Sequence, residues 1–548
     1  MWVTPMLLII PNIWLDLTET YTYAEKTAGI LLPLGIYLLL LAAWRRNPVT
    51  TLCLIPVMVL CAFQIVLLFL YGESIIAIDM FLNVLTTNVH EATELLRNLS
   101  VAIAVVCIIY LPPIITAIIG TIKKWELDRD QRHAGLVAGA AVTAAGAAAC
   151  IWCILQPGGY APQRRLLPVN VTSNIFTAAE RTMLSDNYYS TSEPFSFGSV
   201  DSRPDDGPEV YLLVIGETAR ADNWEINGYS RPTNPRLSRR SGLISYPKAL
   251  SESNTTHKSV PLLMSHLDAA SFGDSIYQVR SIIDAFGEAG YTTLWISDQQ
   301  RNGSLIDFFG SRADHAHFLT DDKLGHQDME LCGYLRDELD SLAGRKLFIV
   351  LHTYGSHFNY KERYSAPYAV FGPEGSAEAS VGNRPGLINA YDNTIVYTDA
   401  VLDSIMTTVE QTGHPAALLY LSDHGEDIFD DSRHRFLHAS PTPTFWQLHV
   451  PMLIWMSESY RKIHPDEYAA AKANQYLDVS SSRSTFHTLT EMAGLRTRVL
   501  DPSASLASRS YAPGPRLYLN DYNEGIPLRE SGLKASDFRQ LDSRGIAR

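Results

Sequence analysis

The sequence predicts an α-helical transmembrane domain joined to an α/β domain whose mainly parallel sheet is sandwiched by helices. Three observations predict it. Long apolar runs are confined to residues 1–155 of the 548. Beyond Pro208, short apolar runs alternate with helical patterns, as a mainly parallel sheet requires. Five of those runs, EVYLLVIGE, TTLWISD, KLFIVLHTYGSH, AALLYLSDHGED and HVPMLIWM, are nearly continuous in apolar residues, as expected when helices cover both sheet faces. The chain is too long for one ordinary domain. Its net charge of −14 argues against nucleic acid as a partner. Cys53, Cys61, Cys107, Cys150 and Cys153 lie in the apolar part and only Cys332 beyond it, so the second part can form no internal disulfide.

In the first part, Gly29 to Trp44, Thr50 to Tyr71, Val101 to Ile122 and Ala134 to Leu155 each approach the ~20 residues that cross a bilayer. Met1 to Leu17 is a fifth, weaker candidate, interrupted by Pro5 and Pro11. It has neither a basic leading region nor a small-x-small cleavage site, so it reads as a span rather than a signal peptide. Arg45 and Arg46 lie between the segments Gly29 to Trp44 and Thr50 to Tyr71, and Lys123, Lys124, Arg129 and Arg132 lie between Val101 to Ile122 and Ala134 to Leu155. The positive-inside rule makes these loops cytoplasmic and everything after Leu155 external to the cytoplasm. In the loop 72–100, which the same rule puts outside the cytoplasm, Asn83, Thr87 and Glu91 are spaced four apart and share one helix face. Glu91 suits an ammonium, and Asn83 and Thr87 suit phosphate oxygens; spacing alone favours an ordinary amphipathic helix lying on the membrane.

Residues 156–206 are rich in Pro, Ser, Asn and Tyr and read as a partly helical linker along the membrane surface. Residues 207–548 form the α/β domain, expected to be the catalytic one from the residues at its strand ends. Ligands collect at the carboxyl ends of parallel strands. Four predicted strands end there in Glu217, in Asp298, in His352 and His357, and in Ser422-Asp423-His424-Gly425-Glu426. Glu217, Asp423 and His424 together form a carboxylate and imidazole set that suits Zn²⁺ and tolerates Mn²⁺, with a position left open for chemistry. SESNTTHKSVPLLMSHL passes from small polar residues into an apolar helical pattern. Pro261 is tolerated only near a helix start, so the helix begins around Thr256. Ser253, Thr255 or Thr256 there is either a helix cap or a nucleophile made reactive by the metal. His438 lies a short loop beyond the metal half-site, where it can bind phosphate or protonate a leaving group.

These residues resemble a family. VIGETARADNWEINGYSRPTNP, SNTTHKSVP, NAYDNTIVYTD and LSDHGED occur in the order and character of the membrane-bound phosphoethanolamine transferases of Gram-negative bacteria, in the alkaline phosphatase/sulfatase-like superfamily. The resemblance covers nearly the whole chain. It implies that Thr256 is the nucleophile and that Glu217, Asp423, His424 and Thr256 itself hold zinc. It implies that His357 and His438 bind phosphate or move protons. It also implies that Asn83, Thr87 and Glu91 hold the lipid substrate. The implied reaction has two steps. Thr256 takes phosphoethanolamine from phosphatidylethanolamine, then passes it to an envelope acceptor, foremost lipid A or the lipopolysaccharide core. The implied location is the inner membrane, with the catalytic domain in the periplasm. The resemblance departs in two places. Better-known lipid A-modifying members carry several disulfides in this domain, where this chain has only Cys332. Where the family often has a lysine after the second strand, this chain reads SDQQRNGS, which offers Gln300 or Arg301. A phosphoglycerol transferase, or a phosphodiester or sulfate-ester hydrolase, is the alternative on the same scaffold. A phosphoglycerol donor gives Glu91 no ammonium to meet.

Overall fold

Thr22 and Glu25 cap the first long helix of the computed structural model: the Thr22 hydroxyl accepts from the Glu25 amide and the Glu25 carboxylate from the Thr22 amide. Residues 2–86, 99–157, 160–203, 207–319, 327–375 and 379–548 are described. The chain divides into two units, Met1–Glu180 with Asp431–Arg435, and Arg181–Asp430 with Phe436–Arg548.

In the first unit, helices Tyr23–Ala43, Ser100–Ile122 and Arg129–Leu155 are each long and apolar enough to cross a membrane. The expected span Thr50 to Tyr71 is instead two helices, Asn47–Cys53 and Ile55–Tyr71, bent by 51°. Pro56 sits in the first turn of the second piece, where a missing N–H is tolerated and the preceding helix cannot run on. Met1 to Leu17 likewise breaks, at Ile9, into Val3–Leu8 and Ile10–Thr18. Helices Tyr23–Ala43 and Arg129–Leu155 touch backbone to backbone. A Cβ on Gly35 would lie 2.4 Å from the Thr143 nitrogen, and one on Gly146 would lie 2.3 Å from the Leu32 nitrogen. Small residues permit such approach between apolar helices. Asn83 falls in helix Ile78–Thr86, while Thr87 and Glu91 lie outside the described residues.

The second unit is built on a seven-stranded sheet. Its strands are β1 (Val210–Gly216), β2 (Leu243–Ser245), β3 (Thr292–Ser297), β4 (His315–Phe318), β5 (Leu347–His352), β6 (Ala416–Ser422) and β7 (Met452–Met456). The order is β2-β7-β6-β1-β5-β3-β4. The five strands from β6 to β4 are parallel, and β7 and β2 are added antiparallel at one edge. All five strands expected from sequence form, and short edge strands β2 and β4 join them. Every residue of β1 is buried. Tyr211, Leu213 and Ile215 enter one core, and Val210, Leu212 and Val214 enter the other, as a pleat of period two demands. Helix Thr256–Met264 packs in the first core and helix Arg384–Glu410 in the second.

Candidate active site

Register makes the site. Ile215 pairs with His352 of β5, and Gly216 pairs with Ser422 of β6, so Glu217 and Asp423 leave adjacent strands side by side. The Asp423 amide still donates to the Gly216 carbonyl at 3.0 Å. Thr218, at φ +60°, then turns the chain sharply. This left-handed conformation, uncommon for a β-branched residue, is held by three bonds. The Thr218 amide donates to Asp423 Oδ1 at 3.2 Å, its hydroxyl donates to Glu217 Oε1 at 2.6 Å, and its carbonyl accepts from the Tyr391 hydroxyl at 2.8 Å.

Helix Arg384–Glu410 explains the rest of the opening motif. Asp392 accepts from Asn223 (2.7 Å), Tyr229 (2.9 Å) and Arg231 (2.8 Å), and Asp399 accepts from the amides of Arg236 and Leu237. Arg220 is buried and forks onto Asp430 with two bonds of 3.0 Å. The polar segment after β1 is therefore clamped to the NAYDNTIVYTD helix, one expected motif holding another.

Helix Thr256–Met264 begins at Thr256, with Thr255 as its cap residue, which places Thr256 at the first helical position. Asn254 anchors the approach. Its amide donates to the Ser440 carbonyl (2.8 Å) and Gln447 (2.7 Å), and its oxygen accepts from Tyr518 (2.8 Å). The Ser251 hydroxyl donates to the Asp423 carbonyl at 2.6 Å. Sequence patterning missed Asn254, since only the packed loop shows what its amide spans.

Four donor groups then converge. Thr256 Oγ1 lies 3.1 Å from His424 Nε2 and 3.4 Å from Glu217 Oε2. His424 Nε2 lies 3.2 Å from Asp423 Oδ2 and 3.5 Å from Glu217 Oε1. The Gly425 carbonyl, 3.0 Å from His424 Nδ1, can only accept, so Nδ1 carries the ring proton and Nε2 presents a lone pair. Asp423 Oδ2 is buried and receives no hydrogen bond. Asp423 Oδ2 thus faces the His424 Nε2 lone pair at 3.2 Å, an arrangement that a cation resolves. Ligands about 2.0 Å from a tetrahedral Zn²⁺ stand roughly 3.3 Å from one another, which is the spacing found here. Burial, and then the Asp423 charge, hold the Glu217 carboxyl well above the usual carboxylate range. Burial pushes Asp423 up to about 6 and keeps His424 neutral. The residues present fit zinc.

His438 stacks near His424, with ring centroids 4.2 Å apart, and His357 lies 5.8 Å from His438. Glu217, His424 and His438 have ligand atoms within 4.8 Å of one another, so His438 is also within reach of a cation there. Leu437 and Ala439, both left-handed at φ +69° and +58°, set the loop around His438. Glu426 sits behind it, with Oε2 3.8 Å from His438 Nδ1 and Oε1 accepting from Tyr360 at 2.6 Å. Burial raises Glu426 to about 8.

Gly425 must be glycine. A Cβ there would stand 2.2 Å from the Trp446 carbonyl oxygen, while its amide donates to the Gln447 carbonyl at 2.7 Å. Gly425→Ala is expected to displace His424 and weaken zinc about 10- to 100-fold, as loss of a supporting contact does. Zinc titration of the metal-stripped variant checks this, and an unchanged affinity would count against the ligand set.

Two of the strand-end candidates lie outside the site. His352 packs against Trp295, with its Nδ1 3.4 Å from the Ser297 hydroxyl. Asp298 pairs with Asp328, which accepts from the amides of Tyr354 (2.7 Å) and Gly355 (2.9 Å). Arg301 stacks on Phe318, 3.9 Å from its ring centre. Burial, and then the Asp328 charge, push Asp298 up to about 9, so the folded state keeps a proton that the unfolded chain has lost above pH ~4. Stability therefore falls as pH rises through that window. Asp298→Asn retains a donor toward Asp328 and is expected to flatten the decline between pH 6 and 9. Thermal unfolding in detergent reads it, and parallel slopes for parent and variant would refute the shared proton.

The profile of the family described as Sulfatase matches residues 209–495. Phosphoethanolamine transferase EptA of Escherichia coli K12 is 31% identical over 297 residues, covering 52% of this chain and 53% of that protein. The chain thus spans about half the length of the curated relatives it first matches. Among solved structures, the integral membrane lipooligosaccharide phosphoethanolamine transferase A of Neisseria meningitidis superposes with a TM-score of 0.70 at 18% identity, covering 92% of this chain and 97% of that one. The zinc complex of the periplasmic domain of Escherichia coli EptC gives 0.55 at 24% identity, covering 62% and 97%. At those identities the likeness is one of fold: membrane helices followed by a sulfatase-like α/β domain.

Proposed function

The chain belongs to the sulfatase family, and we propose that within it this protein is a zinc-dependent phosphoethanolamine transferase of the bacterial inner membrane. The observation that carries the reading is the convergence of the Thr256 hydroxyl on Glu217, Asp423 and His424 at a buried strand edge. The family match and the phosphoethanolamine transferases among its relatives support it. Residues 1–155 span the membrane, 156–206 run along its surface, and 207–548 catalyse in the periplasm.

Zinc held by Glu217, Asp423, His424 and Thr256 would lower the hydroxyl pKa and offset charge on the phosphate. Asp423 is preferred to His438 as a ligand because strand register sets it beside Glu217, with its Oδ2 3.2 Å from His424 Nε2, whereas His438 lies beside Glu426 and His357. Thr256 Oγ attacks the phosphorus of phosphatidylethanolamine. An Oγ–P bond forms, the P–O bond to glycerol breaks, and diacylglycerol leaves with a proton. His438 and His357 bind the phosphate and carry that proton. An acceptor oxygen then attacks the phosphorus and gives up its own proton, releasing Thr256. The acceptor is lipid A or the lipopolysaccharide core. Asn83, Thr87 and Glu91 receive the donor head group in the loop 72–100.

Peptide mass spectrometry on protein purified from membranes tests the reading. Phosphoethanolamine on the Thr256 peptide is expected. Phosphoglycerol in its place would keep the scaffold and replace the donor.

A further inference from the structure

We propose that helix Val169–Asp186 lies in the lipid interface, with its outward face inserted into the bilayer. Its first three turns are amphipathic in the sense opposite to a helix that faces water. The inward side carries Asn170 and Asn174 together with Val171 and Ala178, all buried. The outward side carries Val169, Ile175 and Phe176, exposed by 45%, 43% and 72%. Thr172 and Ala179 complete that face, and no charged residue occurs from Val169 to Ala179. A helix against water places charge outward and apolar residues inward.

Anchoring sets its depth. The Asn170 and Asn174 side chains both donate to the Ile76 carbonyl, at 3.0 and 2.8 Å. Ile76 lies just beyond Tyr71, where the bent helix pair ends. Asn12 donates to the Leu167 carbonyl at 2.9 Å. Leu167 and Val171 share a core with Leu67, Leu68 and Ile76. The part of the helix up to Glu180, which belongs to the first unit, is thus bolted to one end of that unit's membrane-spanning bundle. Spans of that unit also turn apolar side chains outward, among them Val101, Ile108 and Ile115. A second crossing is excluded, because the buried asparagines bond at the bundle end and not at mid-depth. Lying flat, with Phe176 and Ile175 roughly 5–10 Å into the head-group and acyl boundary, satisfies both faces. The occupant of this face is lipid. The inference rests on the membrane location and not on the transfer chemistry, so the two can fail separately.

The test uses the full chain in nanodiscs of phosphatidylethanolamine and phosphatidylglycerol, doped with a lipid carrying a diazirine in its acyl chain. After irradiation, adducts are mapped by peptide mass spectrometry. Adducts are expected on Ile175 and Phe176 at a yield comparable with the span Ser100–Ile122. The double substitution Ile175→Asn, Phe176→Asp is expected to lower that yield severalfold, with labelling of the span unchanged as the folding control. Three outcomes would overturn the proposal: a labelled span with no adducts on 169–180, adducts on the asparagine side instead, or oxidation of Phe176 by hydroxyl radicals from the water phase. The last would mark the face as water-exposed or open to a protein.

Discussion

Replacing Thr256 with alanine is expected to reduce phosphoethanolamine transfer by roughly 10⁴- to 10⁶-fold, the loss seen when a catalytic nucleophile is removed. Glu217, Asp423 and His424 remain in the variant, so zinc is expected to stay bound, and the phosphoethanolamine adduct on the 256 peptide is expected to vanish. Thr256→Ser keeps a hydroxyl at the first turn of the helix and is expected to retain measurable transfer. Head-group-labelled donor lipid in proteoliposomes, followed by chromatography, reads the rate, and metal analysis reads the zinc. Transfer by the alanine variant at the parent's rate would end the covalent reading, because Thr256 Oγ1 is the hydroxyl placed 3.1 Å from His424 Nε2 among the described residues. Loss of zinc together with transfer would instead assign Thr256 to metal retention.

Removing the metal is expected to act on both rate and stability. Chelation should lower transfer on the order of 10³-fold, the scale of losing one dominant source of charge stabilisation. Added Zn²⁺ should restore the parent but not Glu217→Gln or Asp423→Asn. The physical reason lies in the buried acceptors. Without a cation, burial keeps Glu217 well above its ordinary range and raises Asp423 to about 6, which are costs of folding the site. Zinc at a thousandfold excess over its Kd would add about 4 kcal/mol to stability. Thermal unfolding in chelator and in zinc measures it, and coincident curves with no bound metal would remove zinc from the account.

Much of the site was legible because its residues sit at strand ends and helix starts, where periodicity stops. Glu217, Asp423 and His424 each follow a buried apolar run. Pro261 sets the helix start near Thr256, as found. Less legible were residues whose role depends on what packs opposite. Asp298 also ends a strand, yet the order brings β1 beside β6 and β5 and leaves β3 one strand further out, while His352 of β5 packs against Trp295 of β3. Asp298 there meets Asp328 from a distant segment. Asn254 and Tyr391 lie inside recognisable motifs, yet their partners, Ser440, Gln447 and Tyr518 for one and Thr218 for the other, are set only by packing. The break in the span Thr50 to Tyr71 falls just before Pro56, in the first turn of the second piece, and hydropathy averages over such a residue.

The sequence by itself determined the division into apolar and α/β parts, the five long strands, and which residue types wait at their carboxyl ends. Patterning carries this much because burial of one face or both is written in the period of apolar residues. The tertiary structure alone decided which of those ends meet and which side of helix Val169–Asp186 is outward. It also decided that Thr256 Oγ1, Glu217, Asp423 Oδ2 and His424 Nε2 converge, with Asp423 Oδ2 buried and receiving no hydrogen bond. Those are contacts between residues tens to hundreds of positions apart, and strand order and register create them.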